Sequence, residues 1–105
     1  MIDTRQTSPI VAGGTLGISQ GSTVIAPSPT LIVNVTAVNE TGYGHFTIYP
    51  AGMSRPGTGN ASWTPGLVIG DLDLAATSGG IFNIDNASDG TTDAVVDCLG
   101  YFSLG

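Results

Sequence analysis

The stretch LIVNVTAVNETGYGHFTIYP, residues 31–50, decides the fold class of this chain. In residues 31–37 every second position is apolar, and asparagine or threonine falls between the later ones. The second half alternates in the same way, with Phe46 and Ile48 on the apolar face. Alternation with a period of two is the pattern of a half-buried β-strand. The link NETGYG (39–44) contains two glycines and is therefore predicted to be a hairpin turn.

The rest of the chain is a series of short apolar runs separated by turn-forming residues. Sixteen glycines and six prolines punctuate these runs, which is typical of all-β sandwiches and barrels. A length of 105 residues is the size of one domain. We predict a single-domain antiparallel β-sandwich over residues 1–105, with a jelly-roll-like arrangement or a compact barrel as alternatives. The predicted strands lie near residues 2–5, 15–20, 23–26, 31–38, 44–50, 59–64, 67–74, 80–85 and 93–102.

The charge balance excludes several kinds of partner. The chain has eight acidic residues, two arginines and no lysine, which gives a formal net charge of −6. A nucleic-acid-binding protein needs a basic surface that displaces counterions from phosphates, and two arginines do not supply one. Anionic membrane surfaces are disfavoured by the same sign of charge. We therefore expect neither nucleic acid nor membrane as a partner.

Targeting signals and disulfides are also missing from the sequence. No apolar run approaches the length of about 18 residues that a membrane span needs. The segment MIDTRQTSPI at residues 1–10 lacks the basic start and apolar block of a signal peptide. Cys98 is the single cysteine, so no internal disulfide forms. A start at Met1 without a signal is expected of a complete small gene product more than of a cut domain, although a trimmed domain fits the same facts.

Nucleophilic catalysis finds little support in the sequence. His45 is the only histidine, so any Ser-His-Asp arrangement depends on it. The segment most similar to a nucleophile elbow, GMSRP at 52–56, lacks the final glycine and the strand-to-helix setting. His45 falls on the polar face of its strand, where an exposed side chain is the simpler interpretation. We expect this chain not to be an enzyme.

The acidic segment DNASDGTTD (85–93) resembles a calcium-binding loop only superficially. The EF-hand pattern would need an oxygen ligand where Ala87 stands and a glutamate where Val96 stands. An ordinary turn, in which side chains bond their own backbone, explains the composition. We expect no cofactor, and we keep an irregular calcium site as an alternative. Its carboxylates would be those of Asp85, Asp89 and Asp93.

Exposed aromatic rings beside amides would suit a glycan, because a sugar's C–H face stacks on a ring. Four residues form this candidate site: Trp63, Asn60, Tyr43 and Tyr49. The competing interpretation places Trp63 in the core or at a subunit contact, as is common for tryptophan.

The segment TDAVVDCLGYF (92–102) carries two carboxylates in an otherwise apolar run. Asp93 and Asp97 lie four residues apart, which is about 13 Å along a strand and too far for a shared metal ion. Asp93 is interpreted as a residue at the end of a turn. We hypothesise that the terminal strands pair and that Arg5 forms a bidentate ion pair with Asp97.

Several motifs occur in a fixed order along the chain: DTR at 3–5, NVTAVNETGYGHFTIYPAG at 34–52, RPGTGNASW at 55–63 and DAVVDCLGYFS at 93–103. Together they resemble a small β module of actinobacterial exported proteins and of phages that infect these bacteria. The module starts with Asp-Thr-Arg, carries Asn-Val-Thr and Tyr-Pro-x-Gly in its middle and ends in Asp-x-x-Gly-Tyr-Phe. The chain departs from this pattern at His45, where the module has an aromatic residue.

The resemblance implies an accessory module that has no catalytic residues to carry over. The leading interpretation is a non-catalytic structural or surface-display module, most concretely a phage virion protein that decorates a capsid or associates with a tail. It would self-associate and contact a protein shell. The alternative is a glycan-binding or adhesion module on a cell surface or beside an enzyme in an exported actinobacterial protein. The expected location is accordingly a virion surface or the extracellular space.

Overall fold

The computed structural model describes residues 2–19, 30–54, 61–66 and 68–102. Within these residues the chain forms eight β-strands and one turn of 3-10 helix. The elements in chain order are β1 (Ile2–Asp3), the 3-10 turn (Thr4–Gln6), β2 (Thr15–Ser19), β3 (Thr30–Val38), β4 (Gly44–Pro50), β5 (Ala61–Trp63), β6 (Ile69–Ala76), β7 (Ile81–Ser88) and β8 (Asp93–Phe102).

The eight strands form two antiparallel sheets of four strands each. The first sheet has the order β1-β8-β3-β6 and the second has the order β2-β7-β4-β5. This interleaving of early and late strands is that of a jelly roll, an eight-stranded sandwich built from two Greek keys. The predicted antiparallel sandwich is confirmed, and of its two alternatives the jelly-roll-like arrangement is the one that forms.

The core lies between the two sheets and is built from the alternating positions of the long strands. The odd-numbered residues of β3 point inward, as the alternation in 31–37 predicts, and pack against Phe46, Phe82 and Ile84. Phe46 also meets Trp63 edge to face, with ring centroids 4.7 Å apart. The buried apolar residues of the core are Ile10, Ile18, Leu31, Val33, Val35, Ala37, Phe46, Trp63, Ala75, Phe82, Ile84, Ala94 and Val96.

Two sequence predictions about local structure are wrong. The link at 39–44 is not a hairpin turn, because β3 belongs to one sheet and β4 to the other. Turn-forming residues reverse the chain, but they do not specify which sheet the next strand joins. The strand predicted at 2–5 ends at Asp3, since this side chain caps the following 3-10 turn. The strand predicted at 23–26 lies outside the described residues.

The side chains of β8 do not alternate regularly between the two faces of the sheet along the whole strand. Val33 lies opposite Cys98 and Ile32 opposite Gly100, so the register of β8 shifts by one residue between these pairs. A bulge of this kind moves the following side chains to the other face of the sheet. Tyr101 therefore lies opposite the inward-facing Leu31, which simple alternation along β8 does not predict. Among the described residues, none lies in a helix long and apolar enough to cross a membrane.

Candidate functional site

Two connections between the sheets are joined at one end of the sandwich. The segment 39–43 links β3 to β4, and the segment 89–92 links β7 to β8. The Thr41 amide donates to the Thr91 carbonyl at 3.0 Å, and the Thr91 amide donates to Thr41 Oγ1 at 2.8 Å. We call these two segments the paired loops. These two hydrogen bonds join the paired loops into one continuous surface.

Tyr43 and Asp89 lie side by side on the paired loops. The Tyr43 amide donates to Asp89 Oδ1 at 3.0 Å, and the Tyr43 side chain is 66 % exposed. The backbones approach so closely that a Cβ on Gly42 or Gly90 would collide with the facing loop. This arrangement presents an aromatic ring and a carboxylate to solvent, a combination that can stack on a sugar and accept its hydroxyl hydrogens.

The structure separates the four residues that the sequence suggested for glycan contact. Trp63 is only 5 % exposed, and its indole Nε1 donates to the carbonyl of Gly42 at 3.0 Å. Tyr49 is buried, and its hydroxyl donates to Asp85 Oδ1 at 2.9 Å. Asn60 lies outside the described residues. The core interpretation of Trp63 is therefore correct, and Tyr43 alone of the described residues in this set presents an exposed ring.

Asp93 is a buried structural carboxylate rather than a simple turn-end residue. Its Oδ1 accepts from Thr4 Oγ1 at 2.7 Å and its Oδ2 accepts from Asn39 Nδ2 at 3.0 Å. Thr4 Oγ1 in turn accepts from the amide of Ala94 at 2.8 Å. The network joins the N-terminal segment, the paired loops and the start of β8. Asn39 is the one described non-glycine residue with positive φ, 57°, a conformation that asparagine tolerates.

The hypothesised Arg5–Asp97 ion pair is wrong, although the terminal strands do pair. Arg5 Nη2 lies 2.7 Å from Asp3 Oδ2, and Arg5 Nε donates to Asp3 Oδ1 at 2.9 Å. The Asp3 carboxylate also caps the 3-10 turn, because its Oδ1 accepts a hydrogen bond from the backbone amide of Arg5. This cap holds the Arg5 guanidinium close to the Asp3 carboxylate. Asp97 is exposed and lies opposite Asn34, whereas β1 pairs with β8 only at Val95 and Val96 among the described residues.

The short contact between Asp3 and Arg5 affects the protonation of both groups. The side-chain hydrogen bond from Arg5 lowers the pKa of Asp3 below its ordinary value of 3.8. The same hydrogen bond raises the pKa of Arg5. Since the Arg5 side chain is 53 % exposed and the Asp3 side chain 21 % exposed, water screens the pair and its contribution to stability is weak.

The three carboxylates of the alternative calcium site each form hydrogen bonds with different partners. Asp85 accepts from Thr15 Oγ1 at 2.5 Å on the outer face of β7, while Asp89 accepts the backbone amide described above. Asp93 belongs to the buried network with Thr4. Among the described residues no group of three or more histidine, cysteine or acidic side chains is placed to hold a metal ion.

Asn86 is a buried structural residue whose role the sequence did not reveal. Its Nδ2 donates to the carbonyl oxygens of Ile10 at 2.9 Å and of Gly90 at 2.9 Å, and the residue is fully buried. Ser88 Oγ donates to Asn86 Oδ1, which satisfies the other end of the amide. A polar residue at an inward position of a strand was the available signal, because a buried amide needs several backbone partners.

His45 and Cys98 lie on different sheets. His45 is half-buried on β4, opposite Ser62 of β5 and Ala87 of β7. Within the described part of the chain no carboxylate is hydrogen-bonded to its imidazole, so the base of a Ser-His-Asp arrangement has no orienting partner here.

Glu40, in the paired loops, is a buried acid. The residue is 4 % exposed, and among the residues that the structure describes neither carboxylate oxygen has a hydrogen-bond partner. Its backbone carbonyl accepts from the amide of Gly66 at 3.3 Å, which holds the residue against the connection that follows β5.

The outer face of β6 exposes two leucines. Leu72 is 63 % exposed and Leu74 is 66 % exposed, and they lie opposite Asn34 and Ile32 of β3. We call Leu72, Leu74 and Ile32 the outer strip. No residue of the strip or of its neighbour Asn34 is ionisable, although the chain as a whole is acidic.

A shallow groove of about 260 Å³ lies between the N-terminal segment and β2. Its walls are formed by Thr4, Thr7, Ser8, Pro9, Ile10, Val11, Gly14, Thr15 and Leu16. None of these side chains is ionisable. The groove is thus a neutral surface at the side of the sandwich.

Comparisons with protein-family models, with curated proteins and with solved structures found no match to this chain. The surfaces described above therefore carry the functional argument.

Proposed function

We propose that this chain is a non-catalytic structural module of a particle surface, most concretely a phage virion protein that decorates a capsid or associates with a tail. The observation that carries this proposal is the outer strip, an uncharged apolar surface on an otherwise acidic molecule. The jelly-roll topology adds support at the level of fold alone, since viral capsid proteins and lectins both use it.

The outer strip has the properties of a contact surface. Two leucines that are each about two-thirds exposed, at 63 % and 66 %, stand two residues apart on one face of a strand. Apolar side chains grouped in this way mark interaction sites more often than isolated ones do. A partner that covers Leu72 and Leu74 would remove their apolar surface from water without burying a charge.

The neighbouring carboxylates favour a contact through the face of the sheet rather than through its edge. Asp71 lies opposite Val35 and Asp73 opposite Val33, so both acids are on the inward face of edge strand β6. Inward-pointing charges on an edge strand oppose the addition of another strand, because pairing would bury them. Because the edge of β6 is disfavoured, the contact of β6 with a protein shell would be made by the outer strip.

The test uses particles released from cells that carry the gene. We expect the chain to band with intact particles in a density gradient, as measured by mass spectrometry of the fractions. The double variant Leu72→Asp/Leu74→Asp should remain in the soluble fraction. Val68→Asp is the control, since Val68 is exposed but outside the strip and its replacement should leave the chain on the particles.

Absence of the wild-type chain from the particle fractions would contradict the virion role. Retention of the double variant on the particles would contradict the outer strip as the contact. Circular dichroism of each purified variant shows whether the fold is intact.

The second candidate function is glycan binding, which the exposed Tyr43 ring beside Asp89 favours. This role is that of a cell-surface or enzyme-appended module. On a glycan array, Tyr43→Ala should abolish any signal of the wild-type chain. Tyr101→Ala is the matched control, because Tyr101 is an exposed ring at the other end of the sandwich. A wild-type chain that binds no glycan removes this candidate.

A further inference from the structure

The paired loops carry an exposed carboxylate that no cation of the described chain neutralises. All eight acidic residues of the sequence lie in the described part of the chain, and only Asp89 and Asp97 among them are exposed. Within that part, Asp89 accepts a hydrogen bond from the Tyr43 amide and forms no ion pair. The segments 39–43 and 89–92 contain no arginine, lysine or histidine. The charge of Asp89 is therefore open to a cation from outside the paired loops.

An exposed aromatic ring sets Asp89 apart from Asp97. Tyr43 is 66 % exposed, and the amide of this same residue donates to Asp89 Oδ1 at 3.0 Å. The ring and the carboxylate thus belong to one small patch of surface. Asp97 lies opposite Asn34 of β3, so its neighbour across the sheet is an amide and not a ring.

The contacts that position this patch leave the ring of Tyr43 free. Trp63 Nε1 donates to the carbonyl of Gly42, the residue before Tyr43, at 3.0 Å. A Cβ on Gly42 would collide with the Asp89 carboxylate and with the backbone of Gly90, so the two loops are in close contact here. A patch that is already positioned loses less conformational freedom when it binds a ligand.

We propose that Tyr43 and Asp89 bind an arginine side chain of a partner protein. A guanidinium group is flat and stacks on the face of an aromatic ring. Its N–H groups form charge-assisted hydrogen bonds with a carboxylate. The exposed ring of Tyr43 and the unneutralised carboxylate of Asp89 supply these two contacts side by side.

Charge favours an arginine over a neutral sugar on this surface. The formal net charge of −6 attracts cations from a distance and repels anions. A sugar hydroxyl donates a neutral hydrogen bond to Asp89, whereas a guanidinium donates a charge-assisted one, which is about twice as strong. The one described arginine, Arg5, is held by Asp3 and does not serve as this ligand.

The inference goes beyond the proposed structural role, and its test uses the purified chain alone. Backbone amide NMR signals are followed while N-acetyl-arginine amide is added to the wild-type chain. The signals of Gly42, Tyr43 and Asp89 should shift about threefold or more as steeply as that of Asp97, because a ring adds to the carboxylate only in the paired loops. Added salt should reduce these shifts.

Equal slopes at Asp89 and Asp97 would overturn the proposal, since the arginine would then be responding to any exposed carboxylate. Absence of the chain from virus particles contradicts the virion role and leaves this result unchanged. The two failures are therefore distinguishable.

Two other probes separate arginine from competing ligands. N-acetyl-lysine amide should give smaller shifts at the paired loops, because an ammonium is a compact charge that does not stack on a ring as a flat group does. Methyl galactoside and methyl glucoside at the same concentration should give smaller shifts still. Lysine shifts as large as those of arginine would overturn the choice of arginine. Larger shifts with a sugar would overturn the proposal in favour of the glycan site.

Two variants remove the ring and the charge separately. Tyr43→Leu and Asp89→Asn should each reduce the arginine-dependent slopes in the paired loops by about threefold or more. Asp89→Asn keeps an oxygen that accepts the Tyr43 amide, so the loops retain their contact. Asp97→Asn is the matched control and should leave the slopes unchanged. Wild-type slopes in either loop variant would overturn the proposal.

The other arginine of the chain, Arg55, lies outside the described residues. Arg55→Gln removes it as an occupant of the site, and the response to N-acetyl-arginine amide should stay as in wild type. A steeper response in this variant would show that the chain's own arginine fills the site, and it would overturn the assignment to a partner protein.

Discussion

Asp93 shows how one residue can hold three parts of this fold together. Its two carboxylate oxygens accept hydrogen bonds from Thr4 and Asn39, and the residue is almost fully buried. Asp97, four residues further along the same strand, is exposed. The two acids look alike in the sequence, but the buried Asp93 has a structural role and the exposed Asp97 does not share it.

We expect Asp93→Ala to lower the free energy of unfolding by about 1–3 kcal/mol, because it leaves the buried Thr4 hydroxyl without its acceptor and also removes the part-buried hydrogen bond from Asn39. Asp97→Ala should change it by less than about 0.5 kcal/mol, as is usual for a surface substitution. Urea unfolding followed by circular dichroism measures both. Equal losses in the two variants would show that the buried network does not stabilise the fold.

Glu40 is a residue at which the native side chain costs stability. Its buried carboxylate has no hydrogen-bond partner within the described part of the chain, and burial of a polar group without a partner is unfavourable. Methionine has a similar length and no polar oxygen, so Glu40→Met should raise the free energy of unfolding by about 1–3 kcal/mol.

The measurement is again urea unfolding, with Asp97→Met as the control at an exposed acid. A loss of stability in Glu40→Met would mean that the carboxylate of Glu40 has a favourable role. The control should show no gain, because its carboxylate is already in water.

The Asp3–Arg5 pair gives a small pH dependence of stability. The hydrogen bond from Arg5 lowers the pKa of Asp3 in the folded chain. A lowered pKa stabilises the fold above the ordinary value of 3.8, and this contribution is lost as the pH falls through the folded value. Arg5→Ala should therefore lower the melting temperature slightly at neutral pH and not at all in strong acid. A difference between Arg5→Ala and wild type that grows in acid would contradict this assignment.

At the scale of elements, β5 shows how a three-residue strand is anchored. Trp63 packs edge to face on Phe46 and donates its indole N–H to Gly42 in the paired loops. One side chain thus fastens β5 to the core and to the connection between the sheets. The sequence showed a conspicuous tryptophan, but it did not show on which side of the strand the core lies.

Trp63→Phe should cost about 1–3 kcal/mol, because it keeps the ring and removes the partner of a buried carbonyl. Trp63→Ala should cost about 3–5 kcal/mol, since it also opens a cavity. Thermal unfolding of both variants measures the difference, with Tyr43→Phe as a control at an exposed ring. A Trp63→Phe variant as stable as wild type would show that the bond to Gly42 contributes nothing.

At the scale of the whole molecule, the interleaved strand order makes the two sheets depend on one another. β3 and β4 are neighbours in the chain and belong to different sheets, and the same is true of β7 and β8. Neither sheet can form from one continuous part of the sequence. The chain should therefore unfold in a single cooperative step.

Calorimetry should show one transition whose calorimetric and van't Hoff enthalpies agree. Addition of millimolar Ca²⁺, or of a chelator, should shift the melting temperature by less than about 1 °C, because a ligand stabilises only a fold that binds it. Two resolved transitions would contradict the single cooperative unit. A rise in the melting temperature on addition of Ca²⁺ would indicate that the chain binds calcium.

Much of the fold could be predicted from local pattern. The alternation in 31–37 and in 44–50 marked two inward faces correctly, and the pairing of the terminal strands was anticipated. The partner of Arg5 was not, because a cap at Asp3 turned the chain before the arginine could reach β8. The glycan residues Trp63 and Tyr49 were misplaced for a similar reason, since their burial depends on strands far away in the sequence.

The sequence by itself determined the all-β class, the net negative charge and the apolar faces of the long strands. These properties follow from composition and from a two-residue period, which are local. Only the tertiary structure decided the jelly-roll order, the burial of Asp93 and Glu40, and the exposure of Leu72 and Leu74. Each of these depends on which strands become neighbours, and strand pairing between distant segments is set by packing of the whole chain.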